Sequence, residues 1–273
     1  MPQIINTNIS SLNAQRNLDT SQGSLFTALQ RLSSGLRVNS SKDDAAGMAV
    51  AEKMNAQARG MTVAIRNAND GISLAQTAEA GMNVISSHLQ RMRELAVQAA
   101  SGQWDSDNRS ALDTEYQQLA SEIERVISAT NFNGQKLLDG TFSAPGVTFQ
   151  VGPTSTEESQ ITVQIESVAV SVQAITGTDG LNALSELSSL DAAIDSINNN
   201  RASLGAIQNR FQGVLDQLAA AREATTASRS RIMDADYAAE TAHLSRAQVL
   251  QQAGVAMLTQ ANALPQNVLR LLQ

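Results

Sequence analysis

A mainly α protein, a long antiparallel helical bundle and coiled coil with a small β-hairpin region, is predicted by three features of the 273-residue sequence. Apolar residues recur at heptad spacing near both ends. Aromatic residues make up only 3% of the chain, too few to fill a thick core, whereas Ala, Leu, Ser, Asn and Gln suit thin helix-on-helix layers. Between the two helical halves, one short stretch changes from a helical period to a period of two.

The first helix is read from about Ile4 to Val38. Leu25, Leu29, Leu32 and Leu36 step by four, three and four residues, with Leu18 one heptad before them. Near the other end Leu250, Met257 and Leu264 step by seven. Neither stripe is satisfied alone, so the two ends are expected to pair as a left-handed coiled coil, the inner seam. Asn39 to Asp44 interrupts the first stripe with turn and cap residues. Past it, Val50, Met54, Met61, Ile65, Ile72, Met82, Ile85, Leu89 and Met92 continue a helix to about Ala100, too long for an ordinary globular element.

Ser101 to Asp107 breaks that helix, with Asp105 or Ser106 as the next cap, and Leu112, Tyr116, Leu119, Ile123 and Val126 alternate by four and three. Asn131, Asn133 and Gly134 read as its stop. Val147, Phe149 and Val151, then Ile161, Val163 and Ile165, alternate like the arms of a hairpin, and Val168, Val170 and Val172 read as an extension of the second arm. From Leu181 the helix returns: Leu190, Ile197, Leu204, Phe211 and Leu218 fall every seventh residue and form the outer-core packing stripe. A break spans Arg229 to Asp236, and a last helix runs from Tyr237 to about Ala263, before Pro265. The layout divides into 1–42 and 234–273 as the two halves of an inner domain, and 43–135, 136–180 and 181–233 as the helices and hairpin of an outer one.

The net charge of −7 argues against nucleic acid or an anionic membrane as partner. No stretch has the length and apolarity of a membrane span, and no cleaved secretory signal is visible. With no cysteine there is no disulfide, thiolate nucleophile or Cys-ligated zinc. His88 and His243 stand apart from any ligand set, and the zinc-peptidase helix motif is absent. Asp43-Asp44 and Asp234-Asp236 lie where helices restart, so they read as caps rather than acid–base pairs. No cofactor, metal or catalytic residue is expected, and an enzyme has neither nucleophile nor phosphate loop to stand on. The glycines in helical sequence, Gly35, Gly47, Gly60, Gly71 and Gly81, read as points of close helix approach.

Several motifs resemble bacterial flagellin: Ile4-Ile5-Asn6-Thr7-Asn8-Ile9, Arg31-Leu32-Ser33-Ser34-Gly35-Leu36-Arg37, Asp43-Asp44-Ala45-Ala46-Gly47, Arg66-Asn67-Ala68-Asn69-Asp70-Gly71, Gln90-Arg91-Met92-Arg93-Glu94-Leu95-Ala96, Asn131-Phe132-Asn133-Gly134 and Leu264-Pro265-Gln266-Asn267-Val268-Leu269. The resemblance spans both terminal regions. It implies a structural subunit that polymerises with its own copies into the flagellar filament, the propeller for swimming. It also implies export unfolded through the flagellar type III apparatus and a secreted, extracellular location.

As implied partners the family has an export chaperone at the C-terminal helix, here with Leu250, Met257 and Leu264 as contacts, and hook-associated junction and cap proteins. Recognition by the host Toll-like receptor 5 is implied for Arg91, Leu95 and Glu115. The terminal seams are expected to order only on assembly. The variable outer domains of larger members are missing, so a thin, smooth filament is expected. The alternative is a hook–filament junction protein or another helical protein of type III export, which the terminal motifs fit less well.

Overall fold

The computed structural model describes residues 7–170, 172–176 and 180–271, with side chains up to residue 263. Ile4, Ile5 and the side chain of Leu264 therefore lie outside the described residues. Among the described residues five helices follow in order: α1 (Ile9–Ser34), α2 (Ala45–Ala100), α3 (Ser106–Ala129), α4 (Leu181–Met233) and α5 (Tyr237–Leu271). Between α3 and α4 in sequence come two antiparallel pairs, β1 (Asn131–Phe132) with β2 (Gln135–Lys136), and β3 (Val147–Gln150) with β4 (Gln160–Val163). The chain forms two compact units, Met1–Ala56 with Ala224–Gln273, and Gln57–Glu223. The sequence boundary at 42/43 falls in the loop between α1 and α2 and that at 233/234 at the end of α4, while the units divide inside α2 and α4.

The starts of α2, α3 and α5 are set by carboxylates that accept otherwise unpaired N–H groups. Asp44 accepts from Gly47 N at 2.8 Å, Asp105 from Asn108 N at 2.8 Å, and Asp236 from Ala238 N and Ala239 N at 2.9 and 3.2 Å. Asp43 does something else. Its Oδ2 accepts from the backbone and hydroxyl of Ser40 and from Asn39 N, bonds that brace the loop and hold its carboxyl below the usual range. At the end of α1, Gly35 takes φ 71°, the left-handed region that favours glycine, and returns its N–H to Arg31 O.

In the larger unit the core is a single apolar cluster. It joins Met82, Ile85, Leu89 and Met92 of α2, Tyr116 and Ile123 of α3, and α4's Leu190, Ile197, Leu204 and Phe211; all are 1% exposed or less, and Leu218 further along α4 is also buried. Gly71 of α2 faces α4 at close range. A Cβ there would lie 2.5 Å from the ring of Phe211, which is fully buried and held edge-on to Phe149 with centroids 5.7 Å apart. Gly71→Ala gains about 1 kcal/mol of helix propensity but incurs roughly 1–3 kcal/mol of overpacking against a ring with nowhere to move. A net loss of about 1 kcal/mol is expected, read as a lower urea midpoint; a raised midpoint would contradict the close contact.

The β3–β4 pair has the alternating face expected of a hairpin, with Phe149 opposite Ile161 and Val147 opposite Val163. Val168, Val170 and Val172 do not prolong it. After β4 the backbone turns to the preceding connector instead, with Ile165 N donating to Phe142 O and Val168 N to Leu138 O. The signal read as a helix stop at Asn131 to Gly134 is itself a tight hairpin. Asn133 and Gly134 both have positive φ, 51° and 78°, the geometry of a two-residue turn joining β1 to β2.

In the smaller unit the two chain breaks meet. Arg37 N donates to Met233 O at 2.6 Å, Ala235 N to Gly35 O at 2.9 Å, and Leu36 bridges Asp234 in antiparallel fashion. A small cluster of Val38, Ala51 and Met233, with Leu36, Met48 and Ile232 around it, closes the joint.

Candidate functional site

The pairing of α1 with α5 gives the smaller unit its working surface. The side of α1 turned towards α5 carries Ser11, Leu18, Ser21, Leu25, Ala28 and Leu32, all buried or half-buried. The opposing side of α5 carries Glu240, Leu244, Ala247, Gln251, Gly254, Leu258 and Ala261 in strict four-three alternation, again buried or half-buried. Small residues let the backbones approach: a Cβ on Gly254 would sit 3.2 Å from Leu18 Cδ1. Polar contacts fix the register. Ser11 Oγ lies 2.7 Å from Asn262 Oδ1, Tyr237 OH donates to Leu32 O, and Arg31 approaches Glu240 at 3.7 Å.

α5 continues to Leu271, past the stop expected at Pro265. A proline there has no N–H to give the carbonyl four residues earlier, that of Ala261. Asn8 supplies the missing donor: its Nδ2 reaches Ala261 O at 2.8 Å while its Oδ1 caps α1 through Ser11 N at 3.1 Å. Asn8→Asp keeps the cap and loses the donor, and is expected to destabilise the α1–α5 ends by about 1–2 kcal/mol. Faster amide exchange at both ends in assembled filaments, with the centre of the larger unit unchanged, is the readout; equal exchange would reject the bridging role.

Measured against the expected seam, Leu18, Leu25 and Leu32 face α5, but Leu29 is 49% exposed and Leu36 lies beyond the helix in the joint. Leu250 and Met257 are 54% and 64% exposed, so they are not buried in the contact with α1. The heptad period is right and its phase is one residue off. The largest side chains mark the stripe beside the contact, because the contact itself is made by Gln251, Gly254 and Leu258. Ala247, Gly254 and Ala261, small residues seven apart, are the signal that marks the true seam.

What the pair leaves outside is strongly apolar. Ile9, Leu12, Phe26 and Leu29 of α1 and Val249, Leu250, Val255 and Met257 of α5 are half or more exposed, or nearly so, Phe26 reaching 70%. Leu250 and Met257 also line a groove of about 1060 Å³ between the two helices, walled on the α1 side by Asn13, Asn17, Thr20 and Ser24. Uncovered apolar side chains in this number on one helix pair are a feature of interaction surfaces.

In the larger unit, Arg91 and Glu115 are exposed and paired at 2.8 Å, and Arg91 also bonds Glu94 at 3.0 Å. Those bonds, to Glu94 first and then Glu115, raise the pKa of the guanidinium. Leu95 is 1% exposed, a core residue. One helical turn from Arg91 it points inward, so the three do not form one accessible surface.

Two polar residues inside this unit carry no signal in the apolar pattern. Arg109, 1% exposed, donates Nε to Ala99 O at 2.9 Å and a terminal nitrogen to Ser101 O at 3.2 Å, closing the end of α2. Glu186, 2% exposed, accepts from Tyr116 OH at 2.9 Å and from Gln173 N at 3.2 Å. Burial first, then donation to Glu186, push the Tyr116 phenol well above its ordinary pKa. Tyr116→Phe leaves the carboxylate short of a donor and is expected to cost about 2 kcal/mol in urea unfolding. No change would mean that the pair is not bonded in solution.

Among the described residues no helix is long and apolar enough to cross a membrane. Family models match both helical regions: the bacterial flagellin N-terminal helical region over residues 5–143 and the C-terminal helical region over residues 187–272. A flagellin of Halalkalibacterium halodurans is 44% identical over 99% of this chain and 100% of its own length. One from Bacillus subtilis is 38% identical over 98% of this chain and 99% of its own. The crystal structure of Bacillus cereus flagellin, 35% identical, covers 56% of this chain and 88% of that chain with a TM-score of 0.48. The sequence matches, running through both helical halves and the full length of curated relatives, place the chain in the bacterial flagellin family, whose members are the structural subunits of the flagellar filament.

Proposed function

We propose that copies of this chain polymerise through the outward faces of α1 and α5, with Leu18, Leu25 and Leu32 closing the contact inside each subunit and Leu29, Leu250, Met257 and Leu264 contributing to contacts between subunits. The observation that carries this reading is the apolar surface the helix pair leaves uncovered: Ala28, Ala247, Gly254 and Ala261 sit in its seam beside Leu18, Leu25 and Leu258, while Phe26 and Met257, 70% and 64% exposed, stand outside. Identical subunits joined through surfaces that are not self-complementary build open helical arrays, and burial of these faces supplies the driving force. The subunit is exported unfolded through the flagellar type III apparatus to an extracellular filament. In transit a chaperone covers the C-terminal helix at Leu250, Met257 and Leu264, and hook-associated junction and cap proteins bound the polymer. For the host Toll-like receptor 5, Arg91 and Glu115 are the accessible contacts, and Leu95 acts by holding α2 in place.

Hydrogen exchange on monomer and polymer tests the assembly surface. Amides of α1 and α5 are expected to exchange fast in the dilute monomer, where a lone pair buries too little apolar area to offset chain entropy, and to become protected in filaments. Protection already complete in the monomer, or unchanged on polymerisation, would remove these faces from the interface.

A further inference from the structure

We propose that Met257 is an oxidation switch on assembly, an inference that rests on the reading of Leu250 and Met257 as contacts between subunits. Methionine reacts with peroxide where its sulfur is reached by solvent, and here exposure separates one methionine from the rest. Met82 and Met92 are fully buried, Met233 is 4% exposed, Met48, Met54 and Met61 are half-buried, and Met257 alone among the described methionines is exposed, at 64%. Its side chain lines the groove between α1 and α5, one heptad beyond Leu250.

The chemistry is a single oxygen transfer. A lone pair of the Met257 sulfur attacks one oxygen of hydrogen peroxide, the O–O bond breaks, and the thioether is oxidised to a sulfoxide while the peroxide is reduced and leaves as water. A flexible apolar side chain becomes a polar one with a strong acceptor oxygen. In the separate subunit that oxygen is solvated and costs nothing. On assembly it loses water on the α5 face, where its neighbours Leu250, Ala253 and Gly254 offer no side-chain donor and the donors of the groove, Asn13 and Asn17 among them, stand on the α1 wall. The modification therefore acts on unassembled subunits and spares the fold. Once the face is covered the sulfur is out of reach, so a finished filament resists what a free subunit does not. Reduction by methionine sulfoxide reductases restores the apolar side chain.

The experiment exposes monomer and pre-formed filament to dilute hydrogen peroxide, maps sulfoxides by peptide mass spectrometry, and follows seeded elongation by light scattering. Met257 is expected to be oxidised ahead of the other described methionines in monomer and to be protected in filament. Elongation is expected to slow roughly tenfold or more after oxidation and to recover with reductase. In Met257→Leu, the ratio of treated to untreated rates is expected to stay near one, whatever the basal rate of that variant. The proposal is overturned if Met82, Met92 or Met233 reacts first, if fully oxidised Met257 elongates normally, or if Met257→Leu is slowed by peroxide as much as the parent. Normal elongation of the oxidised chain, with assembly still blocked in the Leu250→Asp, Met257→Asp double variant, would remove the switch and leave the contact surface standing.

Discussion

Replacing Leu250 and Met257 together with Asp is expected to leave a folded subunit that forms no filaments. Both side chains are more than half exposed in the single chain, so their replacement disturbs no packing there; substitutions at such positions usually change stability by about 0.5 kcal/mol or less. In a polymer that covers this face, each new carboxylate has to shed water with no partner supplied. That penalty amounts to roughly several kcal/mol per buried unpaired charge, and it is repeated at every subunit. Far-UV circular dichroism of the monomer should match the parent, while electron microscopy after salting-out should show no filaments. Long filaments from the double variant would place the contact elsewhere on α1 and α5.

The larger unit should depend on one buried cation. Arg109→Met is expected to destabilise it by about 3 kcal/mol, because the guanidinium gives hydrogen bonds to Ala99 O and Ser101 O at the end of a helix whose last carbonyls have no partner within it. Methionine fills similar volume without a donor, so the loss reports polar satisfaction rather than a cavity. Arg109→Lys, with the charge but without the planar fork, should fall between the two. Urea unfolding followed by circular dichroism measures the difference, and an unchanged midpoint for Arg109→Met would show that these carbonyls find other donors.

The heptads of α4 were legible because its contacts are made by the largest apolar side chains. Leu190, Ile197, Leu204, Phe211 and Leu218 are all buried, and period and phase coincide. On α5 they do not. There the helices approach over Ala247, Gly254 and Ala261, and the larger Leu250 and Met257 stand one position aside, so a reading that follows bulk finds the right repeat on the wrong face. Leu95 misleads in another way: a motif is read along the chain, whereas exposure depends on which neighbours α2 acquires. Arg109 and Glu186 leave no trace in an apolar pattern because they are polar residues buried by hydrogen bonds, and those partners are known only once the chain is folded.

By itself the sequence determined the helical class, the regions in which α2, α3 and α5 start, the hairpin arms and the family, since these depend on local periodicity, backbone N–H satisfaction and motif; which carboxylate caps each start was read from the fold. Tertiary structure alone decided which stripe of α5 meets α1, that Asn8 supplies the donor Pro265 lacks, and which apolar residues remain outside the helix pair. The physical reason is that a heptad fixes spacing along a helix but leaves its rotation free, and rotation is set by how closely two particular backbones can approach.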